Sequence, residues 1–169
     1  MAAISVSDLC DHIGISENVR ELIWSVTKVL LSQETDLLIG RHLDQLIMCS
    51  IYGVCRVHPG CVIQSQRKQH DLNQENSVKN NGNGHTVMFN EIIETYKDVN
   101  RNKQVSVGRT QLRTGITGAM RSNNVSWVFI EVPLNPEVSS RPKKVDIIEF
   151  YNKVFLNRMK VYILATKNI

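Results

Sequence analysis

Arg41-His42-Leu43-Asp44-Gln45-Leu46-Ile47-Met48-Cys49-Ser50-Ile51-Tyr52-Gly53-Val54-Cys55-Arg56-Val57 is the stretch on which the fold turns. It predicts a helix starting near Gly40 or Arg41, and from Leu46 onward only Ser50, Gly53 and Arg56 interrupt its apolar surface. A helix that is apolar nearly all round belongs at the centre of a bundle. Pro59-Gly60 ends it. Upstream, Ser16 is placed as an N-cap for a second helix. There Val19, Leu22, Ile23, Val26, Val29 and Leu30 recur at three-and-four spacing, the pattern of an amphipathic helix.

Downstream, the composition changes abruptly. Gln, Asn, Ser, Gly, Lys and His dominate residues 64–84, which end in Asn80-Asn81-Gly82-Asn83-Gly84. Such a segment cannot bury enough apolar surface to offset its ordering entropy, so a disordered insertion is expected at about 58–87. Phe89, Ile92, Ile93 and Tyr96 predict a short helix. Residues 99–126 carry Arg101, Lys103, Arg109, Arg113 and Arg121 without an acidic residue, and with Gly108, Gly115 and Gly118 they predict a basic loop. Residues 125–132 could form a strand but have no obvious partner. The last helix is expected from about Lys143 to Thr166. About five helices and no convincing sheet result, in one domain over residues 1–169.

The 169 residues suffice for one domain, and a 42% hydrophobic content can fill its core. Twenty Lys and Arg against 16 Asp and Glu give a net charge of +4, short of a dedicated nucleic-acid binder. No apolar run approaches the roughly 18 residues of a membrane span. Met1 to Gly14 lacks the basic start and apolar core of a signal peptide. Cys49 and Cys55 lie in the apolar helix, where free thiols of a reducing compartment are expected.

Cys55-x2-His58-x2-Cys61, with His70 or His85 as a fourth ligand, has the residue types of a zinc site. Cys55 nevertheless belongs to the apolar helix and no CxxC pair is present, so no metal or other cofactor is assigned. No GxSxG, HExxH, P-loop or dinucleotide-binding pattern occurs, and no enzyme is indicated. In the last helix Ile148, Asn152, Leu156 and Lys160 fall at four-residue steps on one stripe, flanked by Tyr151 and Phe155. An amide among apolar neighbours needs partners for both donor and acceptor, which an extended peptide backbone provides. Tyr52 and Arg56, one turn apart, could face it across a shallow groove with a positive end. Ordinary core packing, with Asn152 capping a nearby loop, accounts for the same spacing.

Arg41 to Val57 resembles the signature helix of the second cyclin box in retinoblastoma-family pocket proteins. Ile147 to Lys160 resembles the family's closing helix, Phe89 to Lys97 the helix between them, and Glu21-Leu22-Ile23-Trp24 the segment before the signature helix. The match covers most of 16–58, 88–99 and 143–165, in the family's order. It implies an all-α, cyclin-like five-helix bundle, the B box of a pocket domain, working in the nucleus as a transcriptional repressor or adaptor of cell-cycle progression. Its partners would be proteins bearing Leu-x-Cys-x-Glu, such as chromatin-modifying complexes. The resemblance places their peptide against Tyr52, Arg56, Phe89, Ile148, Tyr151, Asn152, Leu156 and Lys160. Cell-cycle transcription factors would bind only where the first box is present, and neither a membrane nor strong direct nucleic-acid binding is expected. A cyclin-type kinase regulatory subunit sharing the fold is the alternative. Asn90 stands where the family usually has a lysine, and no Ser-Pro or Thr-Pro dipeptide occurs.

Overall fold

A computed structural model describes residues 2–58, 61, 86–107, 126–129 and 143–168. Helix α1 (Ala2–Ile13) buries Val6, Leu9, Cys10 and Ile13. Gly14 stops it at φ +81°, a left-handed turn that glycine enters without strain. The Gly14 and Ile15 N–H groups both donate to the Cys10 carbonyl, at 3.0 and 2.9 Å. Helix α2 (Glu17–Gln33) follows. Ser16 has the extended backbone of an N-cap, but its side chain makes no capping bond. Arg20 instead fixes this corner, pairing with Asp11 at 2.7 Å and with Glu17.

Helix α3 (Leu43–Val57) begins two to three residues later than the start expected near Gly40 or Arg41. The delay has a physical cause: Gly40 sits at φ +67° and His42 is extended. His42 accepts from the Asp44 N–H, and Gln45 Oε1 accepts from the His42 N–H at 3.1 Å, closing a capping box. As its pattern requires, α3 is the central helix, with Leu46, Ile47, Met48, Cys49, Ile51 and Val54 fully buried. It packs on α1, α2, helix α4 (Phe89–Val107) and the C-terminal helix. Helix α4 is longer than the short helix expected and takes in 99–107, the first part of the supposed basic loop. The remainder of that loop and nearly all of the insertion at 58–87 lie outside the described residues.

Strand β1 (Trp127–Phe129) does have a partner. It pairs antiparallel with β2 (Lys144–Asp146), Val128 opposite Val145, and both valines are buried. The last helix therefore starts at Ile147 rather than Lys143, with Asp146 as its cap accepting from the Ile148 N–H at 2.7 Å. It comprises α5 (Ile147–Phe150), a π-turn (Tyr151–Phe155) and α6 (Leu156–Ala165), together the closing helix. Arg158 and Tyr162 tie it to the end of α2 through Glu34 and Gln33. The all-α expectation holds: five helices are present among the described residues, and the ribbon is a two-stranded addition.

One buried amide joins ribbon and core. Gln45 is 2% exposed, and its Nε2 donates to the Trp127 carbonyl at 2.7 Å while its Oε1 serves the capping box. Gln45→Leu keeps the volume but leaves both backbone groups unserved. It is expected to cost about 1–3 kcal/mol, read as a lower urea midpoint.

Candidate peptide groove

The C-terminal half of α3 and the closing helix run side by side and leave a groove of about 310 Å³ between them. Tyr52, Gly53, Arg56 and Val57 form one wall. Tyr151, Asn152, Leu156, Lys160, Ile163 and Leu164 form the other. Gly53 permits the close approach: a β-carbon there would fall 2.7 Å from Ile163 Cδ1 and 3.5 Å from the Tyr151 hydroxyl. On a regular α-helix a four-residue repeat drifts by about 40° per step. The wider π-turn advances less per residue and takes back part of that drift, so Asn152, Leu156, Lys160 and Leu164 share one wall.

Six of the eight expected residues therefore line one groove: Tyr52, Arg56, Tyr151, Asn152, Leu156 and Lys160. Phe89, at the start of α4, is buried beneath them, 4.8 Å from the Tyr52 ring and 6.0 Å from Tyr151. It supports the wall without forming it. Ile148 is a turn beyond Asn152, 38% exposed, and is not among the lining residues. Leu164 lines the groove although the stripe was taken only as far as Lys160. One further four-residue step reaches it.

The tyrosines set the floor. Tyr52 meets Tyr151 edge to face at 4.9 Å, and Tyr151 stacks on Phe155 at 5.8 Å. Arg56 lies 5.9 Å from the Tyr52 ring centroid, where the electron-rich face holds the guanidinium. Neither Arg56 nor Lys160 pairs with a carboxylate among the described residues. The exposed Asn152 makes no hydrogen bond among them either.

Burial pushes the Tyr151 hydroxyl up to about 12, reinforced by Cys49 and Tyr52 and opposed by Arg56. Tyr96, bonded to Asp44 at 2.7 Å, moves upward as well. These acids are held neutral by the fold, so their contribution is complete below pH 10, the usual tyrosine value. It is lost as pH rises through 10 towards their folded values. The urea midpoint is expected to fall over that window in step with tyrosinate absorbance.

Cys49 is buried and free, as expected, but Cys55 is not a free thiol: it is joined to Cys61. The His58 ring bonds Thr166 Oγ1 at 2.9 Å. Among the described residues no three His, Cys, Asp or Glu side chains converge on a metal position. His70 and His85 lie outside the described residues. No described helix is long and apolar enough to cross a membrane.

The sequence matches the family described as the retinoblastoma-associated protein B domain over residues 1–160. The chain belongs to that family. Among curated relatives, this B domain is 29% identical to retinoblastoma-related protein 3 of Zea mays over 160 residues, 95% of the chain and 12% of that protein. It is 28% identical to retinoblastoma-related protein 2 of Zea mays over 165 residues, 98% of the chain and 14% of that protein. Over a 57-residue stretch, 34% of the chain and 6% of the relative, identity to retinoblastoma-related protein 1 of Oryza sativa subsp. indica is 40%. The B domain thus spans about an eighth of the length of these relatives, and its all-α, cyclin-like architecture agrees with the family assignment.

Proposed function

We propose that this B domain is a non-enzymatic docking module of the retinoblastoma type, which contributes to repression and cell-cycle control in the nucleus by holding Leu-x-Cys-x-Glu peptides. One observation supports the reading: an apolar groove floored by tyrosines has at its edge two cations without a carboxylate partner and an amide without a hydrogen bond among the described residues. Residues 1–169 would act as one box.

Tyr52, Tyr151 and Leu156 supply the apolar contacts for the partner's Leu and Cys. One buried Leu contributes roughly 1.5–3 kcal/mol, enough for two such anchors to give specificity. Asn152 bonds the peptide backbone through both its donor and its acceptor. Arg56 and Lys160 meet the Glu and neighbouring acids, which chiefly raises the association rate. Phe89 acts from beneath, and Ile148 is left for a flanking residue. Chromatin-modifying complexes with such peptides are the partners proposed, and cell-cycle transcription factors require the first box as well.

Fluorescence titration with a labelled Leu-x-Cys-x-Glu peptide tests the proposal. Saturable binding that weakens with added salt is expected, with large losses when the peptide's Leu or Cys becomes Ala. Equal affinity for a scrambled peptide would end the groove reading.

A further inference from the structure

The cysteines at the end of α3 are not used by the docking role, and their placement gives them one of their own. Cys55 occupies the last turn of α3, directly before Arg56 and Val57, which both line the groove. The chain then turns back, the Cys61 N–H donating to the His58 carbonyl at 3.0 Å, and Cys61 meets Cys55 with their α-carbons 5.3 Å apart. His58, inside this turn, is bonded to Thr166 just beyond α6. The turn therefore ties together the ends of the two helices that form the groove.

We infer that Cys55 and Cys61 are a reversible dithiol–disulfide pair that stiffens the basic end of the groove when oxidised. In a reducing compartment a disulfide is usually transient and redox-sensing rather than structural. The oxidant class is a peroxide. One thiolate attacks a peroxide oxygen and becomes a sulfenic acid. The second thiol then attacks that sulfur and expels water, so two thiols and one hydrogen peroxide give one disulfide and two waters. A small dithiol reverses the change by exchange. Cys10 and Cys49 are free and have no such partner among the described residues, so neither can close a disulfide with its neighbours there. With the disulfide closed, the last turn of α3 cannot fray and Arg56 stays on Tyr52. With it open, that turn is held by backbone bonds and by His58 alone.

The pairing stands by itself, whereas its effect on binding rests on the proposed groove. The test therefore reads the two separately, on the whole 169-residue chain. Intact mass and tryptic mapping after one equivalent of hydrogen peroxide are expected to show two hydrogens lost, a Cys55–Cys61 crosslink, and full recovery with dithiothreitol. Cys61→Ser is expected to give no such crosslink. The labelled peptide is expected to bind the oxidised chain roughly threefold more tightly than the reduced one, with no difference in Cys61→Ser. A crosslink through Cys10 or Cys49, overoxidation without a crosslink, or stoichiometric zinc released by peroxide would overturn the pair. A clean Cys55–Cys61 crosslink with unchanged peptide affinity would overturn the control of the groove. Failure of the peptide to bind either form would instead reject the groove, with the mass data still deciding the pair.

Discussion

Asn152→Ala is expected to weaken Leu-x-Cys-x-Glu binding about 10- to 100-fold while leaving the melting temperature unchanged. The first half follows from what the amide would do. It offers a donor and an acceptor to an extended backbone, and truncation leaves both peptide groups under-served in a partly desolvated groove. Leaving such groups unmatched costs roughly 1.5–3 kcal/mol, which is the stated range in affinity. The second half follows from its position, since Asn152 is exposed and makes no hydrogen bond among the described residues. Tyr151→Ala would be a less discriminating probe because Tyr151 is buried against Tyr52, Phe89 and Phe155. Anisotropy titration beside a circular-dichroism melt reads both halves. A dissociation constant within twofold of the wild type would remove Asn152 from the site.

The largest effect on stability is expected at Phe155. This side chain is fully buried, 5.8 Å from the Tyr151 ring and 6.4 Å from Phe150, at the end of the π-turn where the closing helix presses on the core. Phe155→Ala removes the ring and leaves a cavity that rigid neighbours fill only in part, a change worth about 3–5 kcal/mol. Domains of this size are stable by roughly 5–15 kcal/mol, so about a fifth or more of the total is at stake. Urea unfolding should show it as a lower midpoint. Peptide affinity should fall as well, because Tyr151 loses the surface on which it is stacked. Val161→Ala is the matched comparison: at 75% exposure it should stay within about 0.5 kcal/mol. If the two variants unfolded alike, the closing helix would not pack as described.

Much of this was legible in the residues because period and burial are linked. Between Leu46 and Val57 the near-continuous apolar surface admits only a central helix, and that is where α3 lies. The four-residue stripe through Asn152, Leu156 and Lys160 likewise marked one wall of the groove. Helix α1 carried an equivalent signal, since Val6, Leu9, Cys10 and Ile13 repeat at helical spacing, though in one short helix interrupted by Asp8 and Asp11. The ribbon could not be read locally. Lys144-Val145-Asp146 is too short to show a period, and its partner strand begins seventeen residues earlier. The π-turn was equally hidden, because its sequence differs little from an ordinary amphipathic helix. Phe89 illustrates a different limit: hydrophobicity indicates that a ring is buried, whereas only packing shows whether it is the wall or its support.

The ribbon has a practical consequence for engineering this domain. Phe129 and Lys144 are cross-strand partners, so these two points of the chain are held one strand spacing apart. Both points are braced, by the Gln45 amide on one side and by the Asp146 cap on the other. Between two points fixed in this way, the entropy of closing a flexible connection grows only slowly with its length. With both ends fixed, a chain lengthened between residues 130 and 142 is expected to keep α3 and the closing helix in place. A fluorescent domain or an affinity tag spliced there would give a reporter carried by the fold, with the groove left as it was.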